Sequence, residues 1–289
     1  MTRSGSSTPT TRSPELRQAG VFLAVTYALA LAIALALPNA GIAPLISIPV
    51  PVIAVAITML ATLPRDQRRA AWAGVGFGFP SWRSLLVAVV GPAVIVALSF
   101  AIASAVGVVG MEAPDGGRVL NLVLVIAAFG VIFLGEEIGW RGFLLLRFGA
   151  VMSGRRAALA TGACHALFHL PLLTLTTTYQ SAGNRWIVVP MVMVTLTLAG
   201  VWYAWLRLWS RSIWPVSLSH GAFNNFMEVA AGLAITTSPV AMAYTTTETG
   251  VVTLLIVAVT AGYLLTRRAG DFRIEPSTTE TATDGPRVP

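Results

Sequence analysis

The stretch VLNLVLVIAAFGVIFLGEEIGWRGFLLL, residues 119–146, decides the fold class of this chain. It is longer than the roughly 20 mostly apolar residues that a membrane-spanning helix needs. Glu136, Glu137 and Arg141 nevertheless stand within it. Ionisable side chains are costly inside hydrocarbon and mark functional sites. This one stretch therefore predicts a membrane protein and also indicates where its chemistry lies.

The composition of the whole chain agrees with a membrane protein. Of the 289 residues, 55% are hydrophobic and only 11% are charged, whereas a soluble domain has about 25% charged residues. The net charge of +7 comes from arginine, since the sequence contains no lysine. The arginines stand mostly in short connectors, without a basic stripe on a polar domain, which argues against a nucleic-acid partner. We expect the lipid bilayer to be the main surrounding of this protein.

The apolar runs predict an all-α polytopic membrane protein with eight transmembrane helices. The predicted spans are 19–38, 43–63, 83–109, 119–146, 157–177, 186–209, 213–235 and 250–266. Pro49 and Pro51 are expected to kink or break the second span, because proline removes a backbone hydrogen bond.

The connectors predict the orientation and the domain limits. Arginines mark both ends of the chain and alternate connectors, and the positive-inside rule then places both termini in the cytoplasm. Residues 1–18 and 269–289 are polar and are predicted to be disordered cytoplasmic tails, flanking a membrane domain over 19–268. The arginine-only, Ala- and Val-rich composition favours a bacterial plasma membrane. The single cysteine, Cys164, excludes an internal disulfide and is interpreted as a packing residue.

The first polar motif contains a predicted ion pair and an unpartnered carboxylate. Glu137 and Arg141 are four residues apart, so they share a helix face and can neutralise each other in low dielectric. Glu136 points elsewhere and has no local partner. A carboxylate in such a place suits a general base or acid.

The three histidines of the chain stand in the two other motifs. His165 and His169 share one helix face, and His220 shares a face with Asn224. Counted along their helices, these groups lie at a depth similar to that of Glu136. His220 and Asn224 suit hydrogen-bond donation to a developing oxyanion. Glu228 continues their face but lies deeper, so it either supports the site or faces the outer connector.

A metal site is one interpretation of these residues. Glu136, His169 and His220 are candidate ligands for a divalent metal such as zinc. The helical signature His-Glu-x-x-His is absent, although His165 and His169 have its two-histidine spacing. A water activated by glutamate and histidine without a metal fits the sequence equally well.

The three motifs together resemble the CPBP family of intramembrane proteases. They are Glu-Glu-x-x-Trp-Arg-Gly from residue 136, a histidine followed by Leu-Pro at 169, and His-x-x-x-Asn from 220, all within a motif core over 119–235. The family contains the type II CAAX prenyl endopeptidases and bacterial relatives linked to bacteriocin self-immunity. The resemblance implies an eight-helix fold that encloses an intramembrane active-site cavity, open toward the cytoplasmic leaflet, and it implies peptide-bond hydrolysis.

The resemblance also implies roles for individual residues. Glu136 and His169 would activate water, His220 and Asn224 would stabilise the oxyanion, and Glu137 and Arg141 would complete the first motif. Members are described both as glutamate proteases and as metalloproteases, so the metal stays open. One departure is His165, which stands where the family usually has phenylalanine. It would add a polar group, or a ligand, beside the site.

The expected function is that of an intramembrane endopeptidase acting on a peptide or a small membrane protein. A bacterial source argues against prenylated CAAX substrates. Two alternatives stay open: a non-catalytic membrane scaffold or immunity protein that retains the motifs, and a proton-coupled transporter that uses the glutamate and histidines as a relay.

Overall fold

The computed structural model describes residues 14–177, 179 and 182–274, and these are mostly helical. In chain order the helices are α1 (Pro14–Ala36), α2 (Ala43–Ser47), α3 (Val50–Thr62), α4 (Arg65–Ala73), α5 (Trp82–Ala105), α6 (Gly116–Ile132), α7 (Leu134–Glu137), a π-helical segment (Ile138–Leu144), α8 (Leu145–Gly149), α9 (Gly154–Leu175), α10 (Arg185–Ser210), α11 (Trp214–Leu233), α12 (Pro239–Thr246), α13 (Val251–Arg267) and a 3-10 turn (Ala269–Phe272). Two two-residue strands, β1 (Gly110–Met111) and β2 (Ala234–Ile235), pair antiparallel. The predicted all-α membrane fold is confirmed.

The predicted number of eight spans is not confirmed. Within the described residues, seven segments are long and apolar enough to cross a membrane: Pro14–Ala36, Ala43–Thr62, Trp82–Ala105, Gly116–Gly149, Gly154–Leu175, Arg185–Ser210 and Pro239–Arg267. The predicted span 213–235 is missing from this set. It does form a helix, α11, but its polar residues lower its hydropathy. Ser217, Ser219, His220 and Asn225 are buried there, and the helix packs against α5 and α6.

Two predicted spans are interrupted, for different reasons. The span 43–63 breaks into α2 and α3 at Pro49, as its prolines predicted. The span 119–146 runs through α6, α7 and α8 with the π-helical segment between them. A β-carbon on Gly139 in this segment would collide with Pro51. Gly139 therefore lets the motif-bearing segment lie directly against α3.

Helices α9 and α10 cross closely, and this crossing positions the second motif. A β-carbon on Gly162 of α9 would collide with the carbonyl of Thr197 on α10, and one on Gly200 would collide with Gly162. Two glycines at one crossing let the helix backbones touch. A β-carbon on Gly200 would also lie 3.3 Å from Arg141 Nη2. The crossing therefore leaves room for the buried arginine of the first motif.

The structure describes helical residues beside the limits predicted for the two tails. Helix α1 begins at Pro14, so residues 14–18 are helical. At the other end, Phe272 is buried, and the indole N–H of Trp205 donates to Asp271 at 2.8 Å. Residues 269–272 therefore form a packed turn. The rest of the predicted tails, 1–13 and 275–289, lies outside the described residues.

Candidate functional site

The first motif lies where the regular helix gives way to the π-helical segment. Glu136 and Glu137 end α7, and Arg141 stands in the segment that follows. The exposed fraction is 2% for Glu136 and zero for Glu137 and Arg141. A π-helical insertion widens the turn and is frequent at functional sites. The wider turn accompanies three ionisable side chains buried within six consecutive residues.

The predicted ion pair between Glu137 and Arg141 is present. Arg141 Nη1 donates to both carboxylate oxygens of Glu137 at 3.0 Å. Glu137 Oε1 also accepts from His220 Nδ1 at 2.8 Å. One carboxylate thus joins the arginine of its own segment to the histidine of α11. Such additional hydrogen bonds are what an ion pair needs to persist in low dielectric.

Glu136 finds its partner on α9. His165 Nε2 lies 2.9 Å from Glu136 Oε2, and His165 Nδ1 lies 3.2 Å from Arg141 Nη1. His169 Nε2 lies 3.4 Å from His165 Nε2. The polar side chains of the first and second motifs therefore lie in contact. His165 is the residue that connects them.

Aromatic rings enclose His220. The ring of Phe133 stacks on it at a centroid distance of 4.0 Å, and that of Tyr203 at 5.3 Å. The guanidinium of Arg141 lies 4.9 Å from the centre of the same Tyr203 ring. These rings pack against the imidazole, which is only 6% exposed. Neither Phe133 nor Tyr203 was among the predicted site residues, because an aromatic residue on an apolar helix is indistinguishable from ordinary packing.

Tyr179 is a further neighbour that the sequence did not reveal. Its hydroxyl lies 3.4 Å from His169 Nδ1, and its ring stacks on that imidazole at 6.0 Å. Arg185 Nη1 donates to the carbonyls of Tyr179 and Leu173, each at 2.8 Å. Burial, together with the carboxylates of Glu248 and Glu136, raises the pKa of Tyr179 well above its ordinary value. The phenol is therefore a neutral hydrogen-bonding group beside His169.

His169 and Asn224 are the least buried of the predicted site residues. Both are half-buried, whereas the other histidines are at most 6% exposed. Asn224 lies one turn beyond His220 on α11, and its side chain makes no hydrogen bond to any other described residue, so no such contact joins it to the cluster. Asn225 instead donates to the carbonyl of Gly221 within its own helix at 2.7 Å. Glu228 is exposed, and it has no hydrogen bond or ion pair with any described residue of the cluster.

One group of side chains has the composition of a divalent-metal site. Ligand atoms of Glu136, His165 and His169 all lie within 4.8 Å of one another. The predicted set had His220 in place of His165. In the structure His220 Nδ1 is engaged by Glu137 and His165 stands closer to Glu136. One carboxylate oxygen and two imidazole nitrogens are suitable ligands for zinc.

The comparison with known proteins supports the protease interpretation. The model of one family, described as "Type II CAAX prenyl endopeptidase Rce1-like", matches residues 118–227. The matched residues contain all three motifs and every predicted site residue. No curated protein matches the chain. The resemblance stated from the motifs is confirmed, and the family match supports a CAAX-type intramembrane protease in general.

Proposed function

We propose that the chain is an intramembrane endopeptidase, because the model of the Rce1-like family of type II CAAX prenyl endopeptidases matches residues 118–227 of this membrane protein. The observation that carries the proposal is one connected cluster of buried polar groups. His220, Glu137, Arg141, His165 and Glu136 are linked in that order by contacts of 2.8 to 3.2 Å. Three separate segments contribute to it. A cluster of this cost inside an apolar protein is typical of a catalytic site.

We assign water activation to Glu136 and His169. Their ligand atoms lie within 4.8 Å of each other, a separation that one water can bridge with a hydrogen bond to each. Glu136 would take the proton of this water as the oxygen attacks the substrate carbonyl. The half-buried His169 would orient the same water. The proton then passes to the leaving amine, so that the peptide bond is hydrolysed without a covalent intermediate.

We assign the oxyanion to His220 and Asn224. The Asn224 amide is half-buried and bonded to no other described residue, so it is free to donate. His220 uses Nδ1 to bind Glu137 at 2.8 Å. To donate from Nε2 as well, it must carry a proton on each ring nitrogen. Glu137 thus supports the oxyanion site through His220.

The substrate class follows from where the cluster lies. The groups are buried among helices that are apolar enough to cross a membrane, so the scissile bond must reach membrane depth. We propose a membrane-associated peptide precursor or a small membrane protein in a bacterial plasma membrane. A divalent metal held by Glu136 and His169 would supply a more acidic water at the same place. The roles of the chain's own residues are otherwise unchanged.

The test compares peptides from cells that produce wild type, Glu136→Ala or Glu228→Ala at equal abundance. Glu228 is exposed on the same membrane domain and lies outside the cluster, so it is the matched control. We expect a precursor to accumulate, and its product to disappear, only with Glu136→Ala. Identical peptide profiles in all three would refute proteolysis and favour the scaffold function.

A further inference from the structure

The contacts of His165 determine which of its two ring nitrogens carries the proton. Arginine has hydrogen-bond donors and no acceptor. Arg141 Nη1 lies 3.2 Å from His165 Nδ1, so Nδ1 must be the accepting nitrogen. A neutral imidazole has one N–H, which therefore belongs to Nε2. That nitrogen lies 2.9 Å from Glu136 Oε2, and it donates its proton to the carboxylate.

The surroundings leave His165 little freedom to choose another state. Its exposed fraction is 2%, so bulk water does not compete for either ring nitrogen. Its ring lies 5.1 Å from that of Trp140. Arg141 is held by both oxygens of Glu137, and its Nε and Nη2 have no hydrogen-bond partner among the described residues. Nη1 is thus the only hydrogen-bonding nitrogen of the guanidinium here, and it faces both Glu137 and His165.

We infer that His165 is a positioning residue that holds Glu136 through Nε2–H. The inference rests on the proposed function, in which Glu136 is the general base. The bond occupies Glu136 Oε2, and among the described residues no group donates to Oε1. One carboxylate oxygen is therefore anchored, and the other is left to take a proton from water. Hydrogen bonds connect Arg141 to Glu136 through the ring of His165.

The same contacts argue against His165 as a metal ligand, although it belongs to the cluster of possible ligands. Binding an ion through Nε2 would move the ring proton to Nδ1. Nδ1–H would then face the N–H of Arg141 at 3.2 Å, and two donors cannot bond each other. From this cluster, Glu136 and His169 stay suitable as ligands, whereas His165 does not.

The tautomer can be measured directly, because the chain has only three histidines. In protein labelled with ¹⁵N-histidine, NMR distinguishes a protonated ring nitrogen from an unprotonated one. We expect the signal that disappears in His165→Phe to show a protonated Nε2 and an unprotonated Nδ1. The opposite tautomer would overturn the inference. This readout needs no enzymatic activity, so it can succeed even where the proposed function fails.

Kinetic measurements then test the positioning role. The substrate is the precursor that accumulates in cells producing Glu136→Ala. His165→Phe keeps an aromatic ring beside Trp140 but has no donor, and we expect kcat to fall about 10- to 100-fold, the worth of a hydrogen bond to a charged group. KM and bound zinc should stay unchanged. His165→Gln offers an amide N–H to Glu136 and should recover most of the rate.

Three results would contradict the positioning role. They are a wild-type kcat in His165→Phe, a His165→Gln variant as slow as His165→Phe, and a loss of bound zinc in His165→Phe. Cleavage of the substrate by Glu136→Ala at the wild-type rate would refute the proposed function instead. The two failures are therefore distinguishable.

Discussion

Removal of Arg141 should destabilise the protein far more than removal of an exposed arginine. Glu137 and Arg141 are fully buried and 3.0 Å apart. Breaking a buried pair from one side leaves an uncompensated charge and costs about 3–5 kcal/mol. We therefore expect Arg141→Met to lower the free energy of unfolding by about that amount. Glu137→Leu should do the same, because it strands the arginine.

The double variant Glu137→Leu/Arg141→Met should be much more stable than the sum of the single variants. The double variant leaves no unpaired charge. It loses two hydrogen bonds, the one between His220 and Glu137 and the one between Arg141 and His165. At about 1 kcal/mol for each lost hydrogen bond, the double variant should lie about 2 kcal/mol below wild type, against about 6–10 for the summed single changes.

Equilibrium unfolding in mixed detergent micelles measures these differences, with Arg118→Met as the matched control. Arg118 is half exposed and pairs with Glu112 and Asp115 at 3.9 and 3.6 Å, so its loss should cost at most about 1 kcal/mol. An Arg141→Met variant as stable as Arg118→Met would refute the reasoning. So would a double variant that loses the full sum.

Three further predictions concern topology, packing and pH. Helix α11 has 20 residues and is about 30 Å long, so we expect it to cross the membrane beside the seven apolar spans. Reporters fused to the two termini should then both lie in the cytoplasm. Reporters on opposite sides of the membrane would contradict this topology. Gly162→Val should force α9 away from Thr197 on α10 and destabilise the protein by about 1–3 kcal/mol, whereas Gly262→Val, at an open position of α13, should be nearly neutral in the same unfolding assay. Partial burial raises the pKa of Asp271, but hydrogen bonds from Trp205 and Arg268 lower it overall. The contribution of Asp271 to stability is therefore present above the unfolded pKa of about 3.9 and is lost as the pH falls through the lower folded pKa. Asp271→Asn should remove this part of the acid dependence, measured as unfolding midpoints against pH.

The sequence predicted those parts of the site that depend on helical spacing. The pair Glu137–Arg141 follows from a separation of four residues, and the break of the second span follows from Pro49. The convergence of Glu136 and His165 is a tertiary contact between segments 29 residues apart, so spacing could show only that it was possible. His165 was accordingly treated as a supporting residue, without its partner.

The parts that were missed share a physical cause. Hydropathy reports how polar a helix is and not which partner its polar face meets, so α11 was counted among the apolar spans although its buried serines and His220 contact protein. The π-helical segment packs against α3, a tertiary contact that local spacing in the sequence does not reveal. Tyr179 reaches His169 from a connector, where a single tyrosine carries no periodic signal.

Activation of water by Glu136 for peptide hydrolysis is measured most directly with purified protein in lipid nanodiscs. Wild type, Glu136→Gln and Glu228→Gln are incubated with the same membrane peptide, and the products are quantified by mass spectrometry in ¹⁸O-labelled water. We expect wild type and Glu228→Gln to place ¹⁸O in the new carboxylate at equal rates, and Glu136→Gln to be slower by about 10²- to 10⁴-fold, the range for a general base. Cleavage by Glu136→Gln at the wild-type rate would contradict the account.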